Sequence, residues 1–380
     1  MASSPPHPTM VQDAGSLAAL ATRLANERRL AIDTEAASFH RYVDRVYLLQ
    51  LTSDGETALV DPLAVPDLRP IGRLLADPAV EVIFHDADYD LRILDRDYGF
   101  RARRLWDTKV AAQLSGEVAF GLGALLEKYF GVRLSKALQR ADWSQRPLTD
   151  AMIAYAAADT AHLPELRDRL DARLREGSRL AWAEEEFVRL EAVRWTEKAP
   201  AGEQFLAIKG ARALKAAELA VLRTVWEWRE QTAADLDSAP FRVLSNEALV
   251  ALARAAPTTS DGLAAVPRLP ASVARRHGAS LLSAVATGRA TPPADWPRVE
   301  RRPRARRDPE ADARFQRLRE LRARRAPEVG LDPGLVCPNA VLQELARLAP
   351  RAPEDLDGVP DLRRWQREVL TDAAVLKAVR

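Results

Sequence analysis

Along the first half of the chain, short apolar runs of strand length alternate with segments whose apolar residues recur at helical spacing. Leu30-Ala31-Ile32 is one such run, and it ends on Asp33-Thr34-Glu35. Val46–Leu51 and Thr57–Val60 predict two further strands, separated by the turn residues Ser53-Asp54-Gly55. Val82-Ile83-Phe84 predicts a buried strand over Val80–Phe84. Helical spacing then predicts helices at Ala87–Asp97, Leu122–Phe130 and Thr149–Leu170, the last with Thr149 as its N-cap. From about Glu203 onward only the helical period remains, broken by proline-containing turns. The pattern describes an α/β domain followed by all-α structure.

The helical half contains an internal repeat. Asn246–Leu269 aligns without gaps to Asn339–Leu362, and 11 of the 24 positions are identical, so one small helical module occurs twice. Thr291–Arg307, rich in proline and arginine, reads as a linker between the copies. The expected organisation is an α/β domain over residues 1–180 with a disordered tail over 1–10, and a connecting helix or linker over 181–203. A first helical module over 204–290, a Pro/Arg-rich linker over 291–310 and a second module over 311–380 complete it.

A chain of 380 residues with 47% hydrophobic residues can bury a sizeable core. Its 56 basic and 54 acidic residues leave a formal charge of +2, which by itself argues against a polyanionic partner. The total hides a division. Through Leu170 the net charge is −4 and thereafter +6, with a local +7 between Arg301 and Arg325. The single cysteine, Cys337, rules out an internal disulfide framework, fits a reducing compartment and reads as a buried residue, not a nucleophile. With only five scattered histidines, a structural Cys/His zinc site is not expected. The N-terminus lacks the features of a signal peptide, and no run reaches the ~18 apolar residues of a membrane span. A soluble cytoplasmic protein is expected.

Candidate chemistry lies in the acidic half. Strand alternation points Asp33 and Glu35 to one face. Asp90, beside Leu91, Ile93 and Leu94, is placed to point back at the strand ends, while Asp86 suits the cap of the same helix. Tyr155 and Asp159, at i and i+4, share a helix face. Like charges brought together need a cation or a proton to neutralise them. The carboxylates of Asp33, Glu35, Asp90 and Asp159 could hold two hard divalent cations, the arrangement that serves phosphodiester displacement. Asp107 reads as the N-cap of a following helix. Trp143 and Arg146 suit either a packed loop anchor or contact with a base and a phosphate. Trp226 and Trp228 are two apart, so only one is expected to face a helical core.

Asp33-Thr34-Glu35, Asp90 in His85-x4-Asp90, and Tyr155-x3-Asp159 resemble the three motifs of the DEDD exonuclease superfamily in its tyrosine branch. More closely, Ala31–Glu35, Tyr47-Leu48-Leu49-Gln50-Leu51, Asp142–Leu148 and Tyr155–Asp159 are similar to the bacterial ribonuclease D family. The helical repeats resemble its C-terminal pair of HRDC modules, the first opening near Ile208-Lys209-Gly210 and Trp226-Glu227-Trp228-Arg229. The resemblance implies an RNase H-like exonuclease domain with a mixed central sheet and two HRDC bundles. It implies a monomer acting 3′ to 5′ on RNA, with tRNA precursors as substrate and nucleoside 5′-monophosphates as product. It implies two Mg²⁺ or Mn²⁺ ions. Asp33, Glu35 and Asp159 would hold the ion that binds the attacking water, Asp33 would bridge to the second ion with Asp90 in support, and Tyr155 would orient the water. Trp143, Arg146 and Gln50 are the substrate-binding candidates. A DNA 3′ exonuclease and an inactive RNA-binding scaffold are the alternatives.

Overall fold

The computed structural model describes residues 8–197, 202–298 and 308–380. Most of the expected N-terminal tail (residues 1–7), residues 198–201 and much of the Pro/Arg-rich linker (299–307) lie outside these.

Six strands form one sheet: β1 (Thr9–Val11), β2 (Arg29–Ala36), β3 (Val46–Thr52), β4 (Thr57–Val60), β5 (Glu81–Phe84) and β6 (Leu105–Asp107). Their order is β1-β4-β3-β2-β5-β6. The β2-β3 and β3-β4 pairs are antiparallel and the β1-β4, β2-β5 and β5-β6 pairs parallel, so the sheet is mixed. Every residue of β3 and β4 is buried, which explains their unbroken apolar runs. Eight helices accompany the sheet: α1 (Ala14–Leu24), α2 (Arg69–Ala76), α3 (Asp88–Tyr98), α4 (Thr108–Leu114), α5 (Leu122–Phe130), α6 (Asp150–Ala161), α7 (Leu163–Glu176) and α8 (Leu180–Glu191).

Three expectations are corrected. Thr9 and Met10, placed in the tail by the sequence pattern, belong to β1. Three residues are too few to display a period, and the strand exists through its parallel pairing with Ala58–Val60. The single helix expected over Thr149–Leu170 is two, because Pro164 lies in the first turn of α7, where its missing N–H and its ring end the preceding helix near His162. Trp226 and Trp228 both pack against the first module's core, since neighbouring segments flank their 20-residue helix (Ala216–Asp235) on more than one side. Trp228 Nε1 donates to Ser280 Oγ at 3.1 Å.

The repeat seen in sequence is a repeat of backbone. Helices Asn246–Ala255 and Asn339–Leu348 correspond, and each ends on an alanine with positive φ, 40° at Ala256 and 47° at Ala349. The pairs Asp237/Gly330 and Arg268/Asp361 also share positive φ. The two modules differ in what they pack on. The first has its own core, within which helices Ala216–Asp235 and Ala271–Ala290 approach so closely at Gly288 that a Cβ there would stand 2.5 Å from Val221 Cα. The second shares one continuous core with the α/β domain. Its Trp365 stacks on Trp182 of α8 at 5.5 Å. Glu186, also on α8, accepts from Trp365 Nε1 at 2.8 Å and pairs with Arg363 at 3.1 Å.

Candidate active site

β2 lies inside the sheet between β3 and β5 and carries Asp33 and Glu35 on one face. α6 supplies Asp159, and its N-terminus is fixed by Thr149, whose hydroxyl accepts the Met152 N–H at 3.2 Å. Ala156 and Ala157 are buried, so small side chains let this helix lie close to the sheet. As a result, Asp33, Glu35 and Asp159 each offer a carboxylate oxygen within 4.8 Å of the other two. Asp90 stands beside this group, buried in the first turn of α3, and accepts a hydrogen bond from the hydroxyl of Thr34. Thr34 is a part of the site that its residue type alone did not mark.

The electrostatics follow from burial and crowding. Asp159 is pushed up to about 8, first by burial and then by the charge of Asp33. Glu35 is raised by burial and then by Asp33, Asp159 and Asp90. Burial likewise raises Asp33, against the pull of the Thr34 backbone N–H, and raises Asp90, with Asp33 adding to the effect. Burial and the carboxylates of Asp159, Glu35 and Asp33 hold the Tyr155 phenol above its ordinary range. Such a group is stable only with protons or cations, and its all-oxygen donor set suits Mg²⁺ or Mn²⁺.

The carboxylates and Tyr155 line a cleft of about 980 Å³. Phe39, Lys136 and Arg140 also line it, and none of the three was singled out from sequence. The only advance signal was a run of basic residues, Arg133, Lys136 and Arg140, in a segment without periodicity. His85 Nδ1 lies 2.9 Å from Thr108 Oγ1, and burial lowers the ring to about 4, so it is neutral at physiological pH.

The three substrate-binding candidates do not line the cleft. Trp143 is 0% exposed, and its ring packs 5.9 Å from that of Tyr155, so it is a loop anchor that steadies the tyrosine. Arg146 grips the buried Asp61 through Nε at 2.6 Å and Nη2 at 2.7 Å, and donates to the carbonyls of Tyr47 and Trp143. Despite burial, Arg146 holds Asp61 below its usual range. Gln50, paired across the ladder with Asp33, is 0% exposed, and its amide has no hydrogen-bond partner among the described residues. Asp86 does not cap α3. It takes a φ of 70° and pairs with Lys109 at 2.5 Å. Asp107 caps α4, accepting from Lys109 and Val110, and also accepts the Ala87 N–H at 2.7 Å. Cys337 is buried, its thiol pushed up to about 12 by burial, and is inert as expected.

Residues 8–175 match the family model for a 3′-5′ exonuclease, and residues 218–285 and 311–377 each match that of the HRDC domain. The fold and site thus define an α/β exonuclease with two all-α HRDC bundles. The chain is 34% identical over 378 residues to ribonuclease D of Granulibacter bethesdensis, covering 98% of this chain and 93% of that protein. Escherichia coli RNase D, described as an exoribonuclease involved in structured RNA processing, superposes with a TM-score of 0.72 at 25% identity, covering 98% of both chains. A protein from Bifidobacterium adolescentis shares the fold, with a TM-score of 0.84 at 24% identity over 99% of this chain and 98% of that one. The chain belongs to the ribonuclease D family and is a hydrolase with exonuclease activity. Among the described residues, no helix is long and apolar enough to cross a membrane.

Proposed function

We propose that this chain is a metal-dependent 3′–5′ exoribonuclease that trims RNA 3′ ends, tRNA precursors among them, and releases nucleoside 5′-monophosphates. The observation that carries the reading is the cluster of Asp33, Glu35 and Asp159 in a cleft with Tyr155, with Asp90 alongside. Asp33, Glu35 and Asp159 would hold one divalent ion, and Asp33 with Asp90 would support a second. When bound, such ions supply a nucleophile at neutral pH and neutralise charge developing on the phosphate and leaving oxygen. Tyr155, its phenol kept protonated by burial and the adjoining carboxylates, orients the attacking water by hydrogen bond and does not accept its proton. Trp143, packed on the Tyr155 ring, limits where that hydroxyl can go.

In this reading the exonuclease domain spans residues 1–180 and is joined through 181–203 to HRDC domains at 204–290 and 311–380, with 291–310 as linker. The protein works as a cytoplasmic monomer. The test is time-resolved digestion of a 3′-extended tRNA precursor beside its DNA counterpart, with Mg²⁺ or Mn²⁺ and with chelator. Metal-dependent shortening of the RNA from its 3′ end, with 5′-monophosphates released, is the expected result. Preference for DNA, or no release from any 3′ end, overturns the reading.

A further inference from the structure

We propose that the first HRDC module and the rim of the cleft form one continuous track for single-stranded RNA upstream of the 3′ end. It would run from Arg276 and Arg242 over the rings of Phe241 and Phe39 to Arg140 and Lys136. The proposal rests on the exoribonuclease reading and adds to it where the strand lies before it reaches the carboxylates.

The first observation is a pair of exposed rings at a junction. Phe39, in the loop after β2, is 44% exposed, and Phe241, in the short helix Pro240–Val243 of the first module, is 52% exposed. The rings meet edge to face, with centroids 6.1 Å apart and planes at 77°. Exposed aromatic faces in succession suit unpaired bases, because every base has a flat face to stack whatever its sequence.

The second observation is charge. The Arg140 guanidinium lies over the Phe39 ring at 5.1 Å, and both residues line the cleft with Lys136. On the other side, Arg242 lines a separate cavity of about 240 Å³ with Arg276 and His277. Among the described residues, Lys136, Arg140, Arg242 and Arg276 form no ion pair with a carboxylate, whereas Arg133, also on the cleft, pairs with Glu127. Four uncompensated cations interleaved with two exposed rings match a polyanion that carries stackable bases. An acidic protein would also match this charge, but the rim lines the same cleft as the carboxylates, where the proposed chemistry requires an RNA 3′ end, and this favours the nucleic acid.

The third observation is that the junction is tied together. The Ala239 N–H donates to the His40 carbonyl at 3.3 Å, and Arg242 Nη1 lies 3.2 Å from His40 Nδ1. His40 Nε2 in turn lies 2.9 Å from the Arg140 carbonyl oxygen, and Arg41 pairs with Asp237 at 3.2 Å. The cleft rim and the module therefore present their side chains in a fixed relation.

The experiment measures binding of a 5′-fluorescein, unstructured 12-nucleotide RNA to the full chain by anisotropy, in chelator, so that no cleavage occurs. A Phe241→Ala/Arg242→Ala variant should bind about ten-fold more weakly, the size of one lost stack and one phosphate contact, with a flatter dependence of affinity on salt. Arg276→Ala, remote from the ring contact, should shift affinity and salt slope in the same direction. Unchanged affinity and slope in the double variant overturn the track. So does a loss confined to the double variant, because the effect would then come from loosening the junction. Failure of wild type to release nucleotides from the same RNA in Mg²⁺, despite binding it, defeats the exoribonuclease reading and leaves the binding result standing.

Discussion

Replacing Asp159 by Asn should stabilise the metal-free protein at neutral pH and remove its share of a pH dependence that Asp33, Glu35 and Asp90, raised by the same burial, continue to supply. Burial, and then the charge of Asp33, push this carboxyl up to about 8 in the fold, against 3.8 for an unperturbed aspartate. Because the folded value is the higher one, the native state binds more protons than the unfolded chain between those limits. Stability is therefore undiminished below about pH 4 and falls as pH rises toward about 8. At pH 7 the deficit is about 3 pH units at 1.36 kcal/mol each. Water entering the cleft reduces it, leaving on the order of 2–4 kcal/mol. Asparagine keeps the shape and cannot ionise. Thermal melts in chelator at about pH 5 and about pH 8 make the comparison. Wild type should melt lower at the higher pH and the variant less so, making the variant the more stable protein there. Added Mg²⁺ should raise the wild-type melting temperature most at the higher pH and move the variant little. If Asp159→Asn melts below wild type at the higher pH in chelator, or keeps the full pH slope, then crowding of buried carboxylates is not what shapes this site.

Asp33→Asn should abolish metal-dependent hydrolysis while leaving RNA binding in chelator near wild type, as nucleotide release and anisotropy would show. Arg146→Ala should cost about 3–5 kcal/mol of stability, because it strands the buried Asp61 carboxylate. An unchanged melt with weakened RNA binding would instead return Arg146 to a substrate role. Gly288→Ala should destabilise the first HRDC module by about 1–3 kcal/mol, since its Cβ meets Val221 and Thr224 at the helix crossing. Earlier loss of amide-exchange protection in residues 216–290, with the exonuclease domain unaffected, is the expected signature.

The parts of the molecule legible in its sequence are those specified by neighbours in the chain. β2 announces itself as an apolar run closing on Asp33-Thr34-Glu35, and Tyr155 and Asp159 share a face because a helix turns every 3.6 residues. What escaped was decided by distant partners. β1 exists only by pairing with β4, and the N–H of Ala87 is satisfied by Asp107, 20 residues further on. Trp143 and Arg146 have side chains equally suited to nucleic acid and to packing. The choice lies with Tyr155 and with Asp61, the latter 85 residues before Arg146. Phe39 and Phe241 meet across 202 positions, and no local pattern brings them together. The break at Pro164 was local and readable from proline chemistry, but the continuous apolar period obscured it.

The docking of the second HRDC module on α8 has a consequence for the first. The chain leaves the exonuclease domain after Trp195, whose N–H donates to Asp95, and re-enters its core with the helix Pro309–Val329, so the segment between is anchored at both ends. Closing such a loop costs entropy that grows only with the logarithm of its length. The docked second module meets that cost once, for the whole segment. If the contacts at His40 and Arg41 open, the first module faces the cleft at an effective concentration on the millimolar scale and rebinds without a diffusional search. A junction held by a few hydrogen bonds, the Arg41–Asp237 ion pair and one ring contact therefore stays closed although each contact is weak, and re-forms in the same register after any local opening.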